Sequence, residues 1–286
     1  MSLSRRQFAG AASLFLSGCA AKTARVGAPA PAARVARVRL APVKAAADRV
    51  IRVVTGLRPF RPSGFVVRAE NAGEKIVVHN YGHGGAGITL SWGTSQLAVD
   101  EAIKAGMTGG ECAVIGCGVA GLSTARLLQM RGFIPTIYTK DMPPLTTSNI
   151  AGGYWEPVTL YDTDRVTPEF RRQFGEAARF AYRRYQLLAG DYYGVRWLPA
   201  YSFAQAEPGA PAPPPNPNNP MRDIADLHPE AKQLTPEENP FRQPGTSRHQ
   251  AMLIEPSIYL NALIRDYELA GGKIVLREFA DRRAVM

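Results

Sequence analysis

Cysteine and histidine are scarce, with three of the first and four of the second in a chain of 286 residues. Three cysteines exclude a disulfide-stapled scaffold. Neither Cys112 nor Cys117 has a His or Cys at ligand spacing, so no metal centre is expected and both thiols read as small apolar filler. No internal repeat is present, and the longest apolar run near the N-terminus, residues 9–16, is about 8 residues against the roughly 20 that a membrane-spanning helix needs. Acidic residues are nearly missing from the first 61 positions, where twelve Lys and Arg face Asp48 alone. That imbalance accounts for the whole net charge of +10 and leaves the remainder near −1, so no nucleic-acid partner is expected. What is present is ample apolar content, 45%, enough for one large or two modest domains and too much for a fibrous or wholly disordered chain.

The first residues account for part of the basic charge. Ser4-Arg5-Arg6-Gln7-Phe8 places paired arginines ahead of the short apolar run, and Leu16-Ser17-Gly18-Cys19 follows it. This order resembles a twin-arginine export signal ending in a lipobox, over residues 1–19. The resemblance implies export of the folded protein and lipid attachment at Cys19, giving a membrane-anchored lipoprotein that faces the periplasm or cell exterior. Residues 20–47, rich in Ala, Pro and Arg without an apolar period, read as a linker.

Order is expected from Asp48. Residues 50–54, 65–68 and 75–79 read as short strands, and a helix is expected to begin within 91–94 and run to Lys104. Residues 112–115 read as a buried strand, 122–130 as a helix and 133–138 as a second strand, which together make a β-α-β unit. Across 170–188 the spacing of Phe174, Ala177, Ala178, Ala181 and Tyr185 predicts an amphipathic helix. The run Pro213-Pro214-Pro215 makes 207–220 a surface loop, and a helix over 257–269 and a strand over 273–277 follow.

Gly116-Cys117-Gly118-Val119-Ala120-Gly121 follows an apolar strand and opens a helix. Glycines in that place permit a tight turn and bring backbone N–H groups to a pyrophosphate at the positive end of the helix. The acid that usually holds the ribose would stand about 20 residues on. Here the second strand ends Tyr138-Thr139-Lys140-Asp141, so Asp141 takes that role from a shifted position or the ribose is held otherwise, and Lys140 and Asp141 are both candidates.

Pro144-Leu145-Thr146-Thr147-Ser148-Asn149-Ile150-Ala151-Gly152-Gly153-Tyr154-Trp155-Glu156-Pro157 resembles the flavin-contacting stretch of the D-amino-acid oxidase family of FAD-dependent enzymes. The arginine-proline motif and the glycine-rich loop that close that family's chains are matched by Gly56-Leu57-Arg58-Pro59-Phe60-Arg61-Pro62 and His79-Asn80-Tyr81-Gly82-His83-Gly84-Gly85-Ala86-Gly87-Ile88-Thr89. Both stand ahead of the dinucleotide motif. The resemblance covers most of residues 50–285 and implies a circular permutation, with residues 48–110 as the permuted C-terminal segment and 111–286 as the FAD-binding segment plus part of the substrate domain. Closely placed termini make such a rearrangement tolerable. The fold class implied is α/β, an FAD-binding Rossmann-like fold with a second, mixed-sheet substrate domain that is incomplete here. Residues 272–286 end as a strand and a charged turn, and the expectation is of a chain cut short.

The resemblance also implies roles. FAD is the cofactor, contacted by Gly84 to Thr89, the Gly116 to Gly121 turn, Thr147, Ser148, Gly152, Gly153 and Tyr154. Arg58 would grip the substrate carboxylate with both guanidinium arms, Gly85 would offer its carbonyl to the amine, and Tyr154 and Glu156 would line the substrate side. Thr89 and the helix start would set donors and a positive dipole end where a reduced flavin gathers charge. His79 and His83 read as structural hydrogen-bonding residues. The activity implied is oxidative deamination of a D-amino acid by hydride transfer to flavin, with dioxygen as acceptor and peroxide, ammonia and keto acid as products. Two other readings remain open at this point: a non-enzymatic lipoprotein that kept the folds, and a related flavin amine dehydrogenase or glycine-oxidase-like enzyme.

Overall fold

The computed structural model describes residues 41, 43–203, 214, 216–241 and 243–285. The export and lipidation pattern and most of the linker and of the proline-rich loop lie outside the described residues.

Val66–Ala72 (β1) and Lys75–Tyr81 (β2) form an antiparallel hairpin closed by Gly73 and Glu74. Gly87–Lys104 (α1) follows, then Gly110–Ile115 (β3), Val119–Met130 (α2) and Phe133–Thr139 (β4). β3 and β4 run parallel, which a right-handed crossover through α2 allows, and Lys273–Leu276 (β8) extends the same sheet beside β4. Between them come Pro168–Leu187 (α3), Val195–Phe203 (β5), the short Lys232–Gln233 (β6), Thr246–Ile254 (β7) and Pro256–Leu269 (α4). The strand order β5-β7-β6 makes a second sheet, and its described strands all pair antiparallel. The fold class is therefore the expected one, α/β with a Rossmann-like unit and a further sheet.

α1 is the centre of the core. Every residue from Ile88 to Ser95 is buried, as befits a helix enclosed on all sides rather than amphipathic. α2 and α3 pack against it. The Trp92 indole donates to the Tyr259 hydroxyl, the Arg184 guanidinium lies 4.6 Å over the Trp92 ring, and the Tyr185 hydroxyl donates to the Ile88 carbonyl at 2.6 Å. α3 contributes the predicted stripe of Phe174, Ala177, Ala178, Ala181 and Tyr185, with Phe170 buried beside it, each fully buried large side chain contributing about 1.5–3 kcal/mol.

Three expectations need correction. Residues 50–54 form no strand; Ile51 and Val53 are exposed, because β-branched residues make a strand only where a partner strand supplies the ladder. α1 begins at Gly87, four residues before the earliest start expected, since burial of Ile88 and Leu90 outweighs the low helix propensity of the glycine-rich turn. β5 and β7 had not been anticipated. Pro199 argues against a strand, yet β5 is an edge strand, where a missing N–H is tolerated.

Candidate functional site

The turn after β3 is held by its own hydrogen bonds. Gly116 N–H donates to the Tyr138 carbonyl at 2.8 Å, and Cys117 N–H donates to Thr139 Oγ1 at 3.2 Å, whose hydroxyl donates on to the Asp141 carbonyl at 2.7 Å. These two amides thus fix the turn to β4 and are spent there, a correction to their expected role as phosphate donors. The other amides of the first turn of α2 are left for that task. Val119 N–H donates to Ser148 Oγ at 3.0 Å, so an oxygen acceptor from the next loop already sits at the helix N-terminus. A phosphate oxygen would take that place by displacing the Ser148 hydroxyl from the Val119 amide. Cys117 is buried and burial pushes its thiol up to about 11, keeping it protonated and inert.

A cleft of about 440 Å³ opens at the C-terminal ends of β3, β4 and β8, among Gly116, Tyr138, Lys140, Arg277 and Phe279. In open α/β sheets this is where a nucleotide lies. Lys140 lines it, and Asp141 stands 3.9 Å from the Lys140 ammonium. Arg277 and Phe279 had not been singled out; their signal is position, directly after the last parallel strand. Thr147 is exposed beside Ser148.

Gly152 is exposed with open space where a Cβ would point, but Gly153 is buried and faces the other way. Its φ is +73°, and a Cβ there would stand 2.0 Å from the Ile254 carbonyl oxygen. Gly153 thus serves close packing on β7, reinforced by Ile254 N–H donating to the Gly153 carbonyl at 2.7 Å.

Residues of the N-terminal motifs converge on Thr159. The Arg58 guanidinium donates to Thr159 Oγ1 at 2.7 Å, Gly85 N–H donates to the Thr159 carbonyl at 2.9 Å, and Gly84 N–H donates to the Pro59 carbonyl at 3.1 Å. Thr159 itself holds φ +52°, an unusual conformation for a β-branched residue and one that clusters at functional sites. Nothing in its local sequence announces it. Thr89 donates to the Glu156 carbonyl at 3.4 Å, and Ala86, Gly87 and Ile88 form the start of α1 beside it. Arg58 and Gly85 are exposed, open to a ligand.

The two histidines of the glycine loop are held by hydrogen bonds. His79 Nε2 lies 3.0 Å from Glu70, and His83 Nε2 lies 3.1 Å from Asn80 Oδ1 and 3.0 Å from Thr94 Oγ1. Burial pushes His83 down to about 4, so it is neutral at pH 7. Its folded value lies below the ordinary 6.5, so the unfolded chain takes up the proton first as pH falls. The stability His83 supports is complete above about pH 6.5 and is lost as pH falls towards about 4, by on the order of 3 kcal/mol. Urea unfolding at stepped pH should show this slope, and His83→Asn should flatten it.

A second cleft lies beside Tyr154 and Glu156. Tyr154 Oη is 2.8 Å from His249 Nε2, and the Glu156 carboxylate is 3.4 Å from His228 Nε2, an ion-pair distance rather than a well-formed hydrogen bond. Glu156 holds His228 above the usual histidine range, and burial followed by the Glu156 charge raises the Tyr154 phenol. Neither histidine had been anticipated, because each comes from a segment distant in sequence. Among the described residues no group of three His, Cys, Asp or Glu is placed to hold a metal ion, and no helix is long and apolar enough to cross a membrane.

A family profile described as FAD dependent oxidoreductase matches residues 111–284, well over half of the chain. The chain belongs to that family. The oxidoreductase is similar to the D-amino-acid oxidase of Streptomyces coelicolor, 42% identical over 89 residues that make up 30% of this chain and 28% of the relative. It is also similar to the D-amino-acid oxidases of Rubrobacter xylanophilus, 50% identical over 50 residues (18% and 15%), and Dictyostelium discoideum, 51% identical over 51 residues (16% and 14%). Each match spans less than a third of the relative's length. The cofactor of the family is FAD, and the residues present fit it. The cleft among Tyr138, Lys140, Arg277 and Phe279 would take the adenosine end, the first turn of α2 with Thr147 and Ser148 the pyrophosphate, and the Gly84 to Thr89 loop with Gly152 the ring system.

Proposed function

We propose that this oxidoreductase carries out oxidative deamination of D-amino acids to keto acid and ammonia, with dioxygen as acceptor and hydrogen peroxide as product. FAD supplies the two-electron redox chemistry when bound. The observation that carries the reading is the meeting of Arg58, Gly85 and Thr159, which sets an exposed guanidinium beside the first turn of α1. Arg58 holds both oxygens of the substrate carboxylate, with Thr159 Oγ1 fixing the guanidinium plane. The Gly85 carbonyl accepts from the substrate amine, and the N-terminal dipole of α1 favours developing negative charge. The same reading takes residues 48–110 as a circularly permuted C-terminal segment, supported by the few residues that join α1 to β3, and takes Ser4 to Cys19 as an export and lipid-attachment signal.

The experiment is purification of the 286-residue protein with FAD supplied, followed by absorbance and peroxide assays on D-alanine, L-alanine and glycine. Flavin absorbance with peroxide formed from D-alanine alone is the expected result. A bound nicotinamide nucleotide in place of flavin, or peroxide from L-alanine, overturns it. Reduction by D-alanine without peroxide assigns another electron acceptor.

A further inference from the structure

Residues 43–60 present side chains that the fold leaves bare, every one of them exposed. The stretch carries four basic residues, Lys44, Arg49, Arg52 and Arg58, against one acid, Asp48. Beside those charges stand aliphatic side chains with almost no cover: Ile51 is 100% exposed, Leu57 89% and Val53 79%. Single exposed apolar residues are ordinary, but a cluster of them among charges of one sign marks a surface that meets a partner. The cluster continues onto a neighbouring loop, because a Cβ at Gly56 would stand 3.3 Å from the side chain of Ile150, which is itself exposed.

Charge decides what kind of partner fits. A strand from another protein would suit the β-branched residues and take up the backbone, but it would leave Arg49 and Arg52 without a counter-charge. Among the described residues neither arginine has an acidic partner, and no backbone N–H from Ile51 to Leu57 donates to the protein. An anionic phospholipid surface answers all three needs. Its phosphates pair with the arginines, headgroups and water accept from the amides, and the acyl boundary just beneath takes the aliphatic side chains. The unpaired amides hold the backbone at headgroup level, since hydrocarbon would leave them unsatisfied. Only side chains go deeper.

We infer that residues 43–60 seat the protein on an anionic phospholipid surface, with Arg49 and Arg52 on the phosphates and Ile51, Val53 and Leu57 inserted beneath them. The contact is peripheral and stands apart from both the substrate reading and lipid attachment. Lipid at Cys19 would keep the segment close to a bilayer and add avidity, but the surface binds without it. Leu57 leads directly into Arg58, so a seated segment sets the clamp formed by Arg58 and Thr159 beside the headgroups.

The test uses the 286-residue protein, purified with FAD supplied and carrying Cys19→Ser, which removes lipid from that position without shortening the chain. Sedimentation with vesicles of phosphatidylcholine, alone or with about 30% phosphatidylglycerol, is measured at about 0.05 M and about 0.5 M salt. Binding is expected to be at least about tenfold tighter with the anionic lipid and to weaken with salt. Arg49→Glu with Arg52→Glu should weaken it at least about tenfold, whereas Arg49→Lys with Arg52→Lys should retain it. Ile51→Asp with Val53→Asp should weaken it to a similar extent even at low salt. All four side chains are exposed, so flavin content and urea unfolding should match the parent. Arg58 is left unaltered because it belongs to the clamp. Every variant shares residues 1–48, so a difference between them reports on the segment and not on the apolar run of the leader. Equal binding by the parent, the glutamate pair and the aspartate pair, no preference for anionic lipid, or no binding by the parent overturns the inference. A parent that dimerises without vesicles and becomes monomeric with Ile51→Asp and Val53→Asp overturns it too, and assigns the surface to a second copy. D-alanine turnover is measured separately, so the proposed function stands or falls on its own.

Discussion

Replacing Arg58 with alanine is expected to raise the apparent KM for D-alanine at least thirtyfold while leaving bound FAD nearly unchanged. A buried charge-assisted pair lost on one side typically costs about 2–5 kcal/mol, the low end of which applies to an arm that is exposed until substrate covers it, and each 1.4 kcal/mol is about tenfold in affinity. Arg58 is exposed and its one described partner is the neutral hydroxyl of Thr159, so the guanidinium has no carboxylate of its own to satisfy it. Pro59 restricts the backbone of the residue before it, which limits how far the arm can swing. Arg61 is the control. Its stem packs where a Cβ of Gly82 would be, 2.4 Å away, and its guanidinium lies 5.6 Å from the Tyr81 ring centre. Arg61→Ala should lower thermal stability by about 1 kcal/mol without the KM effect. Steady-state assays and flavin absorbance on both variants decide the matter. An Arg58→Ala enzyme with parental KM sinks the carboxylate clamp, and one that loses FAD moves Arg58 into the cofactor site.

Gly121→Ala is expected to abolish most FAD binding and to cost about 2–4 kcal/mol of stability. A Cβ at Gly121 would stand 1.9 Å from the Gly116 carbonyl oxygen and 2.9 Å from its carbon, both backbone atoms that cannot swing aside. α2 must then lift from the turn, which moves Val119 N–H away from Ser148 and spoils the anion-binding end of the helix. Gly175 in the middle of α3 supplies the opposite expectation. Nothing lies within 4 Å of its would-be Cβ, so Gly175→Ala should stabilise by about 0.5–1 kcal/mol through reduced chain entropy and better helix propensity. Urea unfolding and bound-flavin absorbance on the two alanine variants separate a local packing role from a general intolerance of substitution. Full flavin content in Gly121→Ala would leave the close approach without functional meaning.

Features that depend on local spacing were legible in the sequence by itself. The apolar stripe of α3 repeats at helical intervals, and the β3-α2-β4 unit announces itself by an apolar run, a glycine turn and a second apolar run, although of β3 only Val114 is buried. The order of the motifs, with Arg58 and the glycine loop ahead of the dinucleotide turn, is likewise plain from the residues. Tertiary structure decided the rest, because pairing partners are not local. Residues 50–54 have strand propensity and no partner, whereas β5 has a proline and gains β7 as a partner on one side only. Gly153 is wedged on Ile254, a contact fixed by how β7 returns to the loop and invisible in the local sequence. Arg58 and Thr159 stand 101 positions apart, and His228 reaches Glu156 from a 3-10 segment packed on α3. Periodicity speaks for a side chain's own helix or strand, while the neighbour it meets across the core depends on packing every element at once.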